Sequence, residues 1–409
     1  MSLRGVEITH CPFCLQIWRP RLAGLTLMGW GSSMRLLFLN SEYPPVGGGA
    51  GNASANLARQ LVEMGSEVIV ITSAFKDLPK DEVLQGVRIL RGPASRTRVD
   101  RSDALEQTVF IVGALWRSLR LMSQYRPDVV LAFFGVPSGV VAWMLKILYR
   151  TPYVVSLRGG DVPGFRPYDF WLYHKIAAPV LRVIWHGASA VVANSTGLRD
   201  LARAFDSTVD IPVVPNGVEV ERFASPHRTW TSPRILSVGR IVHQKGLDVA
   251  MMALAGLKDL DWQWRIVGDG PQLPVLEGMI QEQALDGRVH FLGWQKAQEL
   301  QGEYAEANLF LFPSRDEGMP NAVLEAMASG LPVVATRISG NEELILDGET
   351  GVLVPLEDGA ALRETLRQLI SDSSRRERMG RAGRERARRN FGWQSAARQY
   401  LSLLERATE

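Results

Sequence analysis

The 409-residue sequence contains little cysteine, little net charge and no long apolar segment. Its two cysteines, Cys11 and Cys14, exclude a disulfide-rich scaffold, and one C-x-x-C motif without a second pair or well-placed histidines is weak evidence for zinc or redox chemistry. A formal charge of +3 is too small to indicate a nucleic-acid partner. With 46% hydrophobic and 22% charged residues, the chain is typical of an ordinary globular protein.

No segment is typical of a transmembrane helix. The longest uncharged stretch, residues 129–145, has roughly 17 residues, which is the low limit for a span. The letters GVPSG interrupt it, so we predict a buried strand followed by a buried helix. Residues 1–33 show no clear period, and the folded part is predicted to begin at Met34. That extension faintly resembles a signal peptide without a cleavage site, and its alternatives are an upstream start codon or a membrane-touching arm.

Short apolar runs alternate with helix-length segments along the rest of the chain. The predicted strands are 35–39, 67–72, 128–134, 153–157 and 190–194, then 234–239, 263–268, 288–293, 308–313, 331–336 and 351–355. Such alternation predicts parallel sheets covered on both faces, and the chain length favours two domains. We predict an α/β protein with two Rossmann-like, doubly wound domains. Their limits are 34–215 with a closing helix 393–409, a linker 216–233, and 234–392.

Ligands of open parallel sheets bind at the carboxyl ends of strands, so the site is expected in the cleft between the domains. The first strand is followed by Gly47, Gly48 and Gly49, which precede a predicted helix. Glycines there allow backbone N–H groups to approach a ligand closely, although the run is equally consistent with a tight turn. After strand 234–239, Arg240 and Lys245 suit a diphosphate, with a surface pair as the alternative.

A third element is the segment SRDEGMPNAVLEAMASG, residues 314–330. Pro320 suits the first turn of a helix, which leaves Glu317 in the preceding loop and Glu325 about two turns along. A carboxylate at that depth is suited to vicinal ribose hydroxyls, and the loop carboxylate to sugar hydroxyls. Gly318 and the free amides at the helix start are expected to face phosphate. Considered alone, either glutamate is better interpreted as an ordinary acidic residue.

Several strings occur together in a fixed order. They are GRIVHQKG (239–246), VGDGP (267–271), EGMPNAVLEAMASGLPVVAT (317–336) and GNEELILDGETGVLVP (340–355), with VGGGAGNASANLARQL, VVANS and IPVVPNGVEVERF upstream. In these strings the chain resembles family 4 of the retaining glycosyltransferases, with the GT-B fold. The resemblance covers nearly everything from Met34 onward.

The resemblance implies a nucleotide-sugar donor site. Arg240 and Lys245 would hold the diphosphate and stabilise the leaving group, while Glu317 would lie near the sugar and Glu325 on the ribose. The remaining donor-binding residues that it implies are Gly48, Gly49, Gly268, Asp269, Gly318, Met319 and Asn321. The loop 268–271 would lie near the nucleobase. The motif EGMPN favours a UDP-linked hexose or N-acetylhexosamine as the donor.

The resemblance also implies a metal-independent enzyme without a cofactor. Fixed cations can replace a divalent ion at the leaving group, and Arg240 and Lys245 would supply them. The single D-x-D string, Asp259 to Asp261, is interpreted as a polar turn. Sugar transfer would retain the anomeric configuration: the acceptor oxygen attacks from the face that the diphosphate leaves, and the departing phosphate takes its proton. Glu317 then positions the sugar and is not a nucleophile.

The first domain departs from the family pattern after strand 153–157. Many relatives carry a histidine there, whereas this chain has Arg158, and arginine cannot be a general base near neutral pH. Arg158 is therefore assigned to a donor or acceptor phosphate, and Asp161 to an acceptor contact. The alternative is a structural Arg–Asp pair in a strand-end loop.

Basic and aromatic residues are concentrated in the first domain. They are Arg91, Arg96, Arg98, Arg101, Trp116, Arg117, Arg120, Trp143, Lys146 and Arg150, followed by the segment 170–187. Because basic amphipathic helices lie on anionic membranes, we hypothesise peripheral membrane contact and a glycan or lipid-linked acceptor in cell-surface polysaccharide or glycoconjugate synthesis. Solvated helix faces are the alternative. The arginine-rich stretch 375–390 is predicted to be a solvated helix, without nucleic acid.

The implied enzyme is cytoplasmic, with the inner face of the cytoplasmic membrane as its place of contact. Two other functions stay open from the sequence. One is a sugar-nucleotide-binding scaffold that has lost catalysis, and the other is a GT-B epimerase. Retention of Arg240, Lys245, Glu317 and Glu325 favours turnover over the scaffold. An epimerase would want acidic and basic groups arranged for sugar-ring chemistry, without this pair of glutamates.

Overall fold

The computed structural model describes residues 33–95, 104–165, 167–223 and 232–409. The cysteines at positions 11 and 14, the arginines at 96, 98 and 101, and residues 224–231 of the predicted linker lie outside this range. Two sheets organise the described residues, one of seven strands and one of six. The first belongs to residues 35–192 and the second to residues 234–354.

The first domain alternates strands and helices, apart from an added hairpin. Its elements are β1 Arg35–Leu39, α1 Gly49–Glu63, β2 Glu67–Ala74, β3 Asp81–Leu84, β4 Val87–Ser95, α2 Ala104–Gln124, β5 Val129–Phe133, α3 Gly139–Tyr149, β6 Tyr153–Ser156, α4 Pro167–Gly187, β7 Ala190–Val192 and α5 Thr196–Phe205. The strand order is β3-β4-β2-β1-β5-β6-β7, with β3 antiparallel to β4 and the other pairs parallel. The predicted buried strand and helix at 129–145 are confirmed as β5 and α3.

The second domain has a wholly parallel sheet in the order β10-β9-β8-β11-β12-β13. Its elements are β8 Arg234–Val238, α6 Leu247–Ala255, β9 Gln263–Val267, α7 Leu273–Glu282, β10 Val289–Phe291, α8 Ala297–Glu306, β11 Leu309–Phe312, α9 Asn321–Ala328, β12 Val333–Thr336, α10 Ser339–Glu342, β13 Gly351–Val354, α11 Gly359–Ser371 and α12 Ser373–Asn390. Apolar strand residues such as Ile235, Leu309 and Val333 are fully buried, as expected for a sheet covered on both faces.

The chain passes between the domains twice. The first passage runs through residues 214–220, and the second through 391–393 into α13 Trp393–Thr408. The two passages touch, because the Val218 N–H donates to the Phe391 carbonyl at 2.7 Å and a Cβ atom at Gly217 would collide with Trp393. Helix α13 then packs on the first domain: Tyr400 and Leu404 share a core with Leu36 of β1. We keep 34–215 and 234–392 as the proposed limits of the domains.

The expectation of a basic surface is wrong for Arg91, which is 2% exposed and is ion-paired with Glu82. The predicted helix at 375–390 is confirmed as α12, and one of its faces is exposed. Its other face is not solvated, because Arg384 donates to the carbonyl of Ala328 and Arg386 to that of Leu344. These side chains cover the carboxyl ends of neighbouring helices, which explains why the arginine-rich stretch belongs to the fold.

Candidate donor site between the two domains

Backbone hydrogen bonds join the loop after β8 to the loop after β9. The Gly239 N–H donates to the Val267 carbonyl at 3.0 Å, and the Ile241 N–H donates to the Asp269 carbonyl at 2.9 Å. Gly268 is buried against Gly239, and a Cβ atom there would collide with the Gly239 carbonyl oxygen. Asp269 is exposed and accepts from the Gly270 N–H at 2.7 Å. The backbone hydrogen bonds between the two loops fix the segment from which Arg240 projects.

Lys245 ends a single 3-10 turn, His243–Lys245, directly before α6. Gly246 follows it with φ of 61°, and any Cβ atom there would collide with the Pro313 carbonyl oxygen, so glycine is required. The turn is therefore held against the loop that follows β11. This packing places the Lys245 side chain beside the residues that precede α9.

The ammonium of Lys245 is paired with the carboxylate of Glu317. Its Nζ lies 2.5 Å from Oε1 of Glu317, and it also lies 4.7 Å from the centroid of the Phe312 ring. The same Glu317 oxygen accepts from Gln244 Nε2 and Ser314 Oγ, each at 3.3 Å. The structure thus brings together two of the predicted donor residues in one hydrogen-bonded cluster.

Arg240 differs from Lys245. It is partly buried, and no hydrogen bond or ion pair joins its guanidinium to any residue in the described part of the chain. A partly buried, unpaired cation at the carboxyl end of a strand is unusual, since burying a charge without a partner costs free energy. The arrangement leaves one uncompensated positive charge beside the Lys245–Glu317 pair.

Helix α9 starts at Asn321, with Pro320 as the residue before it. Glu317 lies in the loop before this helix, and Gly340 packs so closely on the Glu317 carbonyl oxygen that a Cβ atom on Gly340 would lie 2.6 Å away. The glycine that follows, Gly318, faces the first domain: a Cβ atom on it would lie 3.5 Å from Oδ1 of Asn194. A helix N-terminus carries partial positive charge, which suits a phosphate here.

Glu325 lies on α9, four residues after the start of the helix. Its Oε2 accepts a hydrogen bond from the Tyr304 hydroxyl at 2.9 Å, and burial raises the pKa of the Glu325 carboxyl to about 7. Tyr304 itself is fully buried, and burial also raises the pKa of its hydroxyl well above the ordinary value. Sequence reasoning identified Glu325 but not its tyrosine partner, which lies on α8.

Asn321 and Met319 connect the domains. Asn321 Nδ2 donates to the Gly49 carbonyl at 3.3 Å, and Asn321 Oδ1 accepts from Asn216 Nδ2 at 2.9 Å. Met319 is 6% exposed, and its sulfur accepts from the Asn216 N–H at 3.0 Å. Its side chain therefore faces the interdomain passage, and only its backbone is available to a donor.

The glycine loop reaches the same place from the first domain. Gly48 precedes α1, is exposed, and has no other atoms within 4 Å of the position where a Cβ atom would be. Gly49, the first residue of α1, contacts Asn321 as described. This loop of the first domain therefore faces the second domain across the cleft, next to the start of α9.

Arg158 is held by residues that the sequence did not single out. Its Nη1 donates to Asn216 Oδ1 at 2.8 Å, its Nη2 lies 3.5 Å from the Tyr400 hydroxyl, and its guanidinium stacks 4.7 Å from the centroid of the Phe133 ring. Burial lowers the pKa of Arg158. Tyr400 comes from α13, so the last helix of the chain helps to orient this side chain.

Asp161 has a structural position. It is 2% exposed; Oδ1 accepts the N–H groups of Arg158 at 2.9 Å and Gly159 at 3.1 Å, and Oδ2 accepts that of Gly135 at 2.9 Å. Burial raises the pKa of this carboxyl. The alternative of an Arg158–Asp161 side-chain pair is not observed, because Asp161 binds the backbone of Arg158 and not its guanidinium. Both carboxyl oxygens are thus occupied, which does not suit a direct acceptor contact.

Asn194 is a further candidate that sequence reasoning missed. It follows β7 in the string VVANS, is 4% exposed, and its Oδ1 has no hydrogen-bond partner within the described residues. Its position opposite Gly318 places a buried, unused acceptor atom at the cleft. The only available signal was its place after a strand.

The D-x-D string lies away from this site. Asp259 is ion-paired with Arg367 at 2.6 Å, and the string precedes the amino end of β9, whereas the site is at the carboxyl ends of the strands. Across the described residues, no group of three or more His, Cys, Asp or Glu side chains is arranged to hold a metal ion.

The fold has solved counterparts. Sucrose-phosphate synthase from Thermosynechococcus elongatus matches with a TM-score of 0.80 and 23% identity, covering 91% of this chain and 98% of that chain. The two parallel-sheet α/β domains of this protein match those of the GT-B class, and the predicted fold class is confirmed.

The sequence also matches two family profiles. The profile described as glycosyl transferases group 1 covers residues 220–386, and that described as glycosyltransferase family 4 covers residues 47–222. A D-inositol 3-phosphate glycosyltransferase from Xylanimonas cellulosilytica is 30% identical over 86% of this chain and 90% of its own length. A GDP-mannose-dependent alpha-(1-6)-phosphatidylinositol monomannoside mannosyltransferase from Mycolicibacterium smegmatis is 27% identical over 90% of this chain and 98% of its own.

The chain therefore belongs to the group 1 glycosyl transferases of glycosyltransferase family 4, a family of retaining enzymes that use nucleotide-sugar donors.

Proposed function

We propose that this protein transfers a hexosyl group from a UDP-hexose or UDP-N-acetylhexosamine to a hydroxyl of a glycan or lipid-linked acceptor, without a metal ion. The observation that carries the proposal is the unpaired guanidinium of Arg240 beside the Lys245–Glu317 pair. A donor diphosphate supplies the negative charge that this cluster lacks. Fixed cations of this kind stabilise the charge that develops on a leaving diphosphate.

Donor binding would rearrange the Lys245–Glu317 pair. The diphosphate competes with Glu317 for the Lys245 ammonium, which frees the carboxylate for the sugar hydroxyls. The amides at the start of α9 and the Gly48–Gly49 loop supply further N–H donors to the phosphates, and the Gly48 N–H, which donates to Oε2 of Glu42 at 3.4 Å, would exchange that carboxylate for phosphate. Glu325 accepts the ribose hydroxyls, and the 268–271 loop borders the base. These roles follow the positions that the resemblance implies.

Transfer would proceed on one face of the sugar. The acceptor oxygen forms a bond to the anomeric carbon as the bond from that carbon to the diphosphate oxygen breaks, and the acceptor proton passes to the departing phosphate. No side chain needs to form a covalent intermediate. The products are the glycoside, with retained anomeric configuration, and the nucleoside diphosphate.

Arg158 would bind a phosphate of the donor or acceptor from the first domain. Its bonds to Asn216 and Tyr400 fix the guanidinium plane and leave its remaining N–H groups available. In place of an acceptor contact, we propose for Asp161 a positioning role: its carboxylate holds the backbone of residues 158–159. Asn194 Oδ1 is a further acceptor for a substrate hydroxyl.

The names of relatives bear on the acceptor. One relative acts on D-inositol 3-phosphate and another on a phosphatidylinositol monomannoside. Both acceptors carry a phosphate next to a polyol, which favours an anionic acceptor for this chain and agrees with the proposed role of Arg158. A lipid-linked acceptor would place the enzyme at the cytoplasmic membrane surface, facing the cytoplasm.

A donor panel tests the proposal. The full-length protein is incubated with UDP-glucose, UDP-galactose, UDP-N-acetylglucosamine, ADP-glucose or GDP-mannose, together with an acceptor extract, and nucleoside diphosphate release is measured. Release from a UDP-sugar that is lost in both Arg240→Ala and Lys245→Ala supports the proposal. Release from GDP-mannose alone contradicts the uridine assignment, and no release with any donor favours a scaffold without catalysis.

A further inference from the structure

Helices α2, α3 and α4 form one layer on the first sheet. Phe110 of α2, Val141 of α3 and Ile184 of α4 all contribute to the same core beneath them. Helix α3 packs against both of the others. The three helices therefore share an outer surface that faces away from the sheet.

Helix α2 carries a second apolar stripe on that outer surface. Its exposed members are Leu105, Val109, Val112 and Trp116, spaced four, three and four residues apart. This is the spacing of one helical face, and it is distinct from the buried face that contains Phe110 and Ala114. An isolated exposed apolar residue is ordinary in proteins, but a continuous stripe indicates a contact.

Helix α4 repeats the pattern. Leu172, Ile176, Val180 and Val183 are exposed and spaced four, four and three residues apart. Ile147 and Leu148, in the last turn of α3, are also exposed. The outer surface thus has two apolar stripes and an apolar helix end between them.

The charge of the three helices is one-sided. The three helices contain five Arg or Lys residues and two acidic residues, namely Arg117, Arg120, Lys146, Lys175 and Arg182 against Glu106 and Asp169. Arg120 lies 3.4 Å from the Trp116 ring centroid, and Lys175 lies 5.4 Å from that of Trp171. Cations beside exposed tryptophans and aliphatic residues match the boundary between anionic headgroups and acyl chains.

We propose that the outer surface of α2–α4 docks on an anionic lipid membrane and lies in its interfacial plane. The occupant is the membrane surface itself: the apolar stripes enter the acyl boundary and the cations contact the headgroups. No helix in the described segments is long and apolar enough to cross a bilayer. The docking itself stands without the proposed function.

Docking would bring the acceptor side of the cleft close to the lipid. The loop after β6, which contains Arg158, leads into α4. An open cavity of about 250 Å³ lies at this point, lined in part by Pro163, Gly164, Trp171 and Lys175. A lipid-linked acceptor could pass from the membrane to the cleft along this side. This last step alone depends on the proposed function.

Vesicle flotation tests the docking without donor or acceptor. The full-length protein is mixed with vesicles of phosphatidylcholine alone, or of phosphatidylcholine and phosphatidylglycerol in equal amounts. We expect flotation with the anionic vesicles, weakening as salt is raised. Leu172→Glu combined with Ile176→Glu should partition at least roughly tenfold more weakly, because two apolar side chains lose their burial.

A matched control makes the result specific. Val275→Glu combined with Met252→Glu adds the same charge at exposed apolar positions of the second domain, and it should float like the wild type. Circular dichroism melts show whether each variant is folded. Absence of flotation, or equal loss in both double variants, overturns the proposal. A dimer that Leu172→Glu with Ile176→Glu dissociates also overturns it, since a second copy of the chain would then cover the surface.

Discussion

Arg240 and Lys245 differ in what they contact. Lys245 is neutralised by Glu317, whereas Arg240 has no partner among the described side chains. Arg240→Ala therefore removes the uncompensated charge without freeing a carboxylate. We expect a loss of roughly 2–5 kcal/mol in transition-state stabilisation, on the order of 30-fold or more in kcat/KM. Steady-state release of nucleoside diphosphate measures it.

Arg367→Ala is the matched control for that experiment. Arg367 also belongs to the second domain, on α11, but it pairs with Asp259 at the surface, away from the cleft. Its loss should leave kcat/KM unchanged. Turnover of Arg240→Ala at the level of Arg367→Ala would refute the diphosphate assignment.

Glu325 makes the stability of the protein depend on pH. The folded-state pKa of about 7 is above the ordinary 4.5, so the folded protein binds more protons than the unfolded chain between these values, and stability falls as pH rises through this window. Glu325→Gln removes that cost. Relative to the wild type, the free energy of unfolding should rise by on the order of 2 kcal/mol at pH 8 and change little at pH 4.5.

Urea denaturation at the two pH values measures the difference. Glu349→Gln, at an exposed position, is the control and should show no difference between them. The same Glu325→Gln variant should bind UDP more weakly, since the carboxylate is assigned to the ribose. A variant that is no more stable than the wild type at pH 8 would contradict the raised pKa.

The residues of the site were predictable from sequence only where they stand in continuous strings. Arg240, Lys245, Glu317 and Glu325 are in such strings, and the structure brings Lys245 and Glu317 into contact. Asn216 and Tyr400 were not predictable, because they approach Arg158 only when two distant passages of the chain come together. No local pattern encodes that approach.

Helices α5 and α10 form a second contact across the cleft. Oε2 of Glu343, just after α10, accepts from the Thr196 N–H at 2.8 Å and from its hydroxyl at 3.1 Å. Gly197 packs directly on Ser339, where a Cβ atom would collide with the serine side chain. Close approach of these two helices requires a glycine at position 197.

Gly197→Ala should separate the two helices and widen the cleft. We expect a roughly 10-fold or greater loss of kcat/KM, because displacement of the domains misplaces the reacting groups. Adding Ser339→Gly to the same chain removes the colliding atoms and should restore both activity and the radius of gyration measured by X-ray scattering. Equal activity in the single and double variants would contradict the packing argument.

Apart from β4, the strands that pair in parallel were predictable because they are continuous apolar runs buried on both faces. The hairpin of β3 and β4 was missed. Its first strand lies at the sheet edge, where Val83 and Leu84 are exposed, so it lacks that apolar signature. The local signal was the pair Gln85–Gly86, both at positive φ, which forms a two-residue hairpin turn.

At the scale of the whole molecule, we propose that the cations which neutralise the leaving diphosphate are protein groups, chiefly of the second domain. We expect turnover to be unaffected by EDTA and by added Mn²⁺, because Arg240, Lys245 and the start of α9 supply the positive potential. The measurement is kcat/KM after chelation and dialysis. Loss of activity that Mn²⁺ restores would contradict the metal-independent assignment.

The return of α13 to the first domain determines what a probe at the end of the chain reports. Covalently, α13 follows the second domain, but the hydroxyl of its Tyr400 is hydrogen-bonded to Ser156 of β6 at 2.6 Å. A fluorophore attached at Thr408 therefore moves with the first domain. With a second dye at exposed Asp286, energy transfer between the two dyes would report closure of the cleft as the nucleotide-sugar is added.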